Sequence, residues 1–171
     1  TCSVCGKTKT DAIPKKEAAT QEPPKKGDVV ADDKASVTVE VTDVAKKEVE
    51  YKEPTDKKAK TVSIPATVKV DGVTYKVTKI DDNAFKGCSS LTSVTLPSKA
   101  TKIGANAFNG CKKLKTIKIT STKLTSKTVA KNAFKGLTKA TTIKVPKKKL
   151  SAYKKLFKQK GLSSKVKVKG Y

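Results

Sequence analysis

The stretch Ile80-Asp81-Asp82-Asn83-Ala84-Phe85-Lys86-Gly87-Cys88-Ser89-Ser90-Leu91-Thr92-Ser93-Val94-Thr95-Leu96-Pro97 decides the reading, because it recurs. Twenty-three residues on, Ile103, Asn106, Ala107, Phe108, Gly110, Cys111, Leu114, Ile117 and Ile119 repeat its apolar and turn positions in register. A third copy follows after 26 residues, with Val129, Asn132, Ala133, Phe134, Gly136, Ile143 and Val145 in place. It absorbs extra residues around Thr122 to Lys127, and Leu137 and Ala140 replace Cys and Leu. A unit this short cannot bury both of its sides, so copies must stack into a solenoid in which each repeated position becomes an apolar ladder.

Within one copy, Leu91, Val94 and Leu96 read as a short strand stopped by Pro97, which cannot donate to a ladder. Asn83-Ala84-Phe85 reads as a helical turn, with the Asn placed to cap its first amides and Gly87 allowing a left-handed exit. The spacing Ile-x-x-Asn-Ala-Phe-x-Gly-Cys-x-x-Leu-x-x-Val/Ile-x-Leu/Ile resembles the leucine-rich repeats of the BspA-like type, abundant in surface proteins of gut and oral bacteria. The resemblance covers residues 79–146. It implies an α+β solenoid with surface display and attachment to host proteins or neighbouring cells, a role tied to no invariant residues.

Ahead of the repeats, Thr67 to Val77 alternates strictly around Asp71-Gly72, a strong two-residue hairpin signal. Earlier pairs such as Val37/Val39/Val41, Val49/Tyr51 and Val62/Ile64 supply further strands, so residues 36–78 are expected to form an antiparallel β cap over the first open rung. Behind the repeats, residues 147–171 are expected to form a second cap. Pro146 opens a helix with Leu150, Tyr153, Leu156 and Phe157 on one face, Gly161 follows it, and Val166 and Val168 mark a last strand. Residues 1–35 lack Leu and Phe and read as a linker.

Charge divides along the same boundary. All 39 basic residues are lysine, against 15 acids, for a net +24. Residues 1–60 hold 13 Lys and 12 acids (net +1), whereas residues 61–171 hold 26 Lys and 3 acids (net +23). From Asn83 to Tyr171 no side chain is a carboxylate, and the chain has no His. The usual proton-transfer groups are thus missing from the part with a core, which counts against an enzyme. No apolar run approaches the roughly 20 residues needed to span a bilayer, and the opening Thr1-Cys2-Ser3-Val4-Cys5 is not a signal peptide.

Three sets of residues carry possible chemistry. Cys2 and Cys5 form a Cys-x-x-Cys that lacks the four ligands of a closed zinc site; it is read as the remnant of an upstream module, with a local disulfide or metal shared with outside ligands as alternatives. Cys88 and Cys111 share one position a rung apart and are expected to be buried free thiols, since stacked side chains project in parallel and the third copy accepts Leu137 there. Asp81-Asp82 reads as turn decoration, because the second copy has Gly104-Ala105. No metal or cofactor is implied.

The lysines form the remaining constellation. With Val94, Ile117, Ile143 and Val166 inward, the outward positions become Thr95, Lys118, Lys144 and Lys167, flanked by Ser93, Thr116, Thr142 and Lys165, with Lys115 beside them. This is either a solvated face in a lysine-using organism or an anion-binding stripe. Specific nucleic-acid readers favour Arg forks and stacking aromatics, and here there is no Arg and no Trp. Ammonium point charges suit teichoic-acid phosphates or anionic host glycans better. The expectation is a non-enzymatic surface module for adhesion to a host or bacterial surface protein or glycan. The alternative is electrostatic attachment of a larger secreted protein to an anionic Gram-positive cell wall.

Overall fold

The computed structural model describes residues 23–32 and 36–171. Six strands come before the repeated core: β1 (Val29–Asp32), β2 (Val37–Asp43), β3 (Glu48–Pro54), β4 (Thr61–Ser63), β5 (Thr67–Val70) and β6 (Val73–Ile80). Five more follow, β7 (Ser93–Leu96), β8 (Lys102–Ile103), β9 (Thr116–Ile119), β10 (Thr142–Val145) and β11 (Lys167–Gly170). The helix α1 (Leu150–Gln159) lies between β10 and β11, entered through a 3-10 turn at Lys147–Lys149.

These strands make two sheets among the described residues. One is the parallel stack β11-β10-β9-β7-β4, in which Val62, Val94, Ile117, Ile143 and Val168 stand in one row. The other runs β1-β2-β3-β6-β5, with β8 also paired to β6. From there the parallel pairing Ile80, Ile103, Val129 climbs the solenoid on a second side. Each repeat therefore contributes a residue to two parallel ladders, and its phenylalanine fills the space between them. Tyr51, Phe85, Phe108, Phe134 and Phe157 stack in sequence with ring centroids 5.3, 5.2, 5.8 and 4.7 Å apart. All five rings are buried, and such pairs add about 0.5–1.5 kcal/mol each beyond their burial.

The turn that delivers each phenylalanine differs from expectation. It is a reverse turn, not a helical one, closed by bonds such as the Lys86 N–H to the Asn83 carbonyl (2.7 Å). The asparagine serves through its own backbone. Asn83, Asn106 and Asn132 sit at φ 57, 53 and 62°, the left-handed region that Asn tolerates better than other side-chain-bearing residues. The turns then bond to the next rung, with the Phe85 N–H donating to the Ala107 carbonyl at 2.9 Å. Gly87, Gly110 and Gly136 take φ 83, 86 and 85° as expected.

The expected N-terminal cap is also revised. Residues 36–78 are not an all-antiparallel unit: β3 pairs with β6 in parallel, and β4 belongs to the solenoid sheet as its first rung. Structure before residue 36 includes β1, which pairs with β2 through Val30 and Val39; the linker expected over 1–35 thus contains a strand, and residues 1–22 and 33–35 of it lie outside the described residues. The Asp71-Gly72 hairpin is present, with both residues at positive φ. Behind the repeats, Tyr153, Leu156 and Phe157 are buried as their helical spacing requires.

Two local features show how the third repeat is accommodated. Ala140, aligned with Leu91 and Leu114, is exposed; Thr141 beside it is buried, and its hydroxyl donates to the Leu114 carbonyl at 2.7 Å. The extra residues before Thr128 are tied down by α1. The Tyr153 hydroxyl donates to the Ser121 carbonyl (3.0 Å) and accepts from the Leu124 N–H (3.2 Å). Truncating the middle of the aromatic stack with Phe108→Ala should cost about 3–5 kcal/mol in denaturant unfolding, whereas Ala140→Ser should change stability by less than about 0.5 kcal/mol. A large loss at Ala140 would show that it does belong to the core.

Candidate functional site

The side of the five-stranded sheet that faces away from the core is built by period-2 alternation. Val94 and Leu96, Ile117 and Ile119, and Ile143 and Val145 point inward and are fully buried, so Ser93 and Thr95, Thr116 and Lys118, and Thr142 and Lys144 point outward. Strand pairing puts Ser63, Thr95, Lys118, Lys144 and Lys169 in one row. Thr61, Ser93, Thr116, Thr142 and Lys167 make the row beside it. The face thus grades from hydroxyls at β4 and β7 to lysines at β10 and β11.

That register corrects the sequence reading at its last rung. The strand pairs Ile143 with Val168, not Val166, so Lys144 stands next to Lys169 and Lys167 falls beside Thr142. Lys165 precedes β11 and lies outside both rows, and Lys115 is exposed one residue ahead of β9. The slip of two residues arises because Val166 is also buried, at 7% exposure, so periodicity alone offers two equivalent alignments. The structure brings Lys118 and Lys144 together as expected and adds Lys169, which sequence reasoning missed.

It also adds an aromatic. Tyr171 continues the outward alternation of Lys167 and Lys169, its N–H donating to the Val145 carbonyl at 3.1 Å. The residue is 45% exposed, and its ring centroid lies 4.9 Å from the Lys118 Nζ, within cation–π range. The signal was present in the sequence as Lys167, Lys169, Tyr171 at spacing two.

The other candidate residues are committed to the fold. Asp81 pairs with Lys52 Nζ at 2.6 Å, and the same ammonium binds Glu40 at 2.8 Å. Hydrogen bonds to these two carboxylates hold Lys52 well above the usual lysine range. An Asp82 Oδ1 accepts the Ala105 N–H at 2.7 Å, bracing one rung on the next. The Asp81–Asp82 backbone and this carboxylate together fill the space where a Cβ on Gly104 would lie, which accounts for glycine in the second copy. Asp81 and Asp82 do line a cleft of about 380 Å³ with Lys52, Glu53 and Lys57, but both Asp81 oxygens and Asp82 Oδ1 are engaged in structural contacts.

Cys88 and Cys111 are free and buried. The Cys111 thiol donates to the Phe85 carbonyl at 3.2 Å, and burial pushes its pKa up to about 12. Burial raises Cys88 as well. Cys2 and Cys5 lie outside the described residues, among which no group of three or more His, Cys, Asp or Glu could hold a metal ion. No helix among the described residues is long and apolar enough to cross a membrane.

Two expected outcomes follow from this geometry. In a Cys2→Ser/Cys5→Ser variant at about pH 8, both remaining thiols should resist alkylation in the native state, since the thiolate is the reactive form, and both should label in denaturant; failure to label unfolded would reveal a disulfide. In the lysine row, neighbouring ammonium groups repel by about 1 kcal/mol even in water. Lys144→Thr should therefore leave the melting temperature equal or higher, and a clear drop would show that this side chain does not stand free on the outer face; Lys118 is not an equivalent probe, because its ammonium lies against Tyr171.

Comparison with known proteins agrees with this architecture. No curated protein matches the chain. Two solved structures share the fold. A leucine-rich cell surface protein from Faecalibacterium prausnitzii A2-165 aligns over 84% of this chain and 32% of its own, with 22% identity and a TM-score of 0.50. A leucine-rich repeat protein from Bacteroides ovatus aligns over 71% of this chain and 38% of its own, with 23% identity and a TM-score of 0.50. The chain thus spans about a third of the length of each. The BspA-type leucine-rich repeat region matches residues 58–169 in six copies, three more than the visible repeats and reaching back to the rung at β4. With the matched pattern and the two parallel ladders in agreement, the chain belongs to the BspA-type leucine-rich repeat family.

Proposed function

We propose that this chain is a non-enzymatic binding module displayed outside a bacterial cell, attaching it to a host or neighbouring-cell surface protein or glycan through the outer face of the five-stranded sheet. The observation that carries this reading is the composition of that face. Its paired outward positions, from Thr61 to Lys169, are hydroxyls and lysines without a carboxylate. Display outside the cell is supported by the Faecalibacterium structure, whose protein is described as a cell surface protein.

A second reading is favoured by the same lysines. With no Arg anywhere and +23 carried by residues 61–171, the solenoid could hold a larger secreted protein to the teichoic acid of a Gram-positive wall. Lysine offers an anion a hydrated point charge and no bidentate fork, so attachment of this kind is electrostatic and screened over about 8–10 Å at physiological salt. A packed protein interface survives moderate salt.

Pull-down on purified cell walls, with and without teichoic acid, across a salt series separates the two. Collapse of retention at moderate salt and on removal of teichoic acid supports wall attachment. Retention indifferent to both leaves the adhesion reading and removes the electrostatic one. Hydrolase activity that disappears on Asp81→Asn or Asp82→Asn would overturn the non-enzymatic assignment.

A further inference from the structure

We infer that the outer face of the five-stranded sheet binds a linear phosphate polymer laid across the strands, along the row Lys118, Lys144 and Lys169. This rests on the anion-binding reading above and specifies its ligand and its direction. Along β9 the outward residues are Thr116 and Lys118, and along β10 they are Thr142 and Lys144, so a ligand parallel to either strand meets one charge, and one parallel to β11 meets two, Lys167 and Lys169. Across the strands it meets three, because pairing sets Lys118 beside Lys144 and Lys144 beside Lys169. Rungs about 4.8 Å apart spread the backbone positions of these three lysines over about 10 Å, with the Lys118 ammonium reaching across to the Tyr171 ring. Only an extended ligand with repeated charges can engage all of them.

The chemistry of the face narrows the ligand. The Arg fork serves carboxylate and phosphate alike, whereas lysine holds a phosphate as a point charge without bidentate geometry, and the chain has no Arg. A folded protein partner needs buried aromatic or Arg anchors; a single-stranded nucleic acid needs a series of stacking rings. This face offers one ring, Tyr171, already against the Lys118 ammonium. Beyond the lysines, Thr95 and Ser63 continue the row without charge, which lets the hydroxylated backbone of a polyol phosphate run on toward β4. No side-chain carboxylate follows Asp82 in the sequence to compete for these lysines from within the repeats.

The test uses the whole chain and inorganic phosphates of increasing length, namely orthophosphate, tripolyphosphate and long-chain polyphosphate. Affinity should rise with length. Lys118→Thr, Lys144→Thr and Lys169→Thr should each weaken long-chain binding roughly fivefold at low salt and lower the salt slope by about one. Lys165→Thr, off the row, should weaken it less than about twofold. Equal losses at Lys165 and Lys169 would overturn the row, since only total charge would then matter. Dextran sulfate binding more tightly at matched charge would overturn the phosphate assignment, and oligothymidylate binding more tightly would overturn the exclusion of nucleic acid. Polyphosphate binding that follows the row while walls are not retained would sink wall attachment and leave this inference standing. Wall retention unaffected by the three row variants would do the reverse.

Discussion

A single repeat of this chain has an apolar side that it cannot cover, and every other property of the molecule follows from covering it with the next repeat. The requirement is geometric as well as hydrophobic. Side chains at equivalent positions must project at the same height and angle, so Phe85, Phe108 and Phe134 stack nearly parallel, with interplanar angles of 7 and 5°. The ends of that stack are closed by residues from outside the visible repeats. Tyr51 of β3 and Phe157 of α1 are the terminal rings, so the caps extend the core and do not merely shield it.

Stacking constrains the backbone just as strictly. Each turn must place its phenylalanine and leave in time for the next strand, which is why an Asn and a Gly in left-handed conformation recur in every copy. Where chain length departs from the repeat, between Ile119 and Val129, the excess is fastened against the core, with Ser121 and Leu124 buried. Ser121 is buried with its hydroxyl on the Ala100 carbonyl, and Tyr153 holds the neighbouring backbone from the helix. Insertion is tolerated there because the loop's buried polar groups find partners.

The rule that aligns apolar residues aligns whatever lies on the opposite face. Lys118, Lys144 and Lys169 are neighbours for the same reason that Ile117, Ile143 and Val168 are. Their mutual repulsion is a cost that burial on the other side of the strands easily exceeds, since a fully buried aliphatic side chain contributes about 1.5–3 kcal/mol. The acids, meanwhile, gather near the first rungs, where Asp81, Glu40 and Lys52 join β6, β2 and β3. Charge therefore stabilises the entrance of the solenoid, and beyond it accumulates on an open surface.

The repeat, its inward columns, the Asp71-Gly72 hairpin and the amphipathic helix were all legible in the sequence, because each depends on residues a few positions apart or on a strict period. Apart from the turn at Asn83, where a left-handed asparagine replaces the expected helical turn, what was not legible depended on long-range pairing. The parallel joining of β3 to β6 pairs residues 28 apart at Glu48 and Lys76, and the role of β4 as a rung shows only a three-residue signal. The last lysine of the row was misplaced because Val166 and Val168 satisfy the same alternation. Periodicity told which lysines face outward; hydrogen-bonding register between strands, which no local pattern specifies when two alignments bury equally well, decided which of them stand side by side.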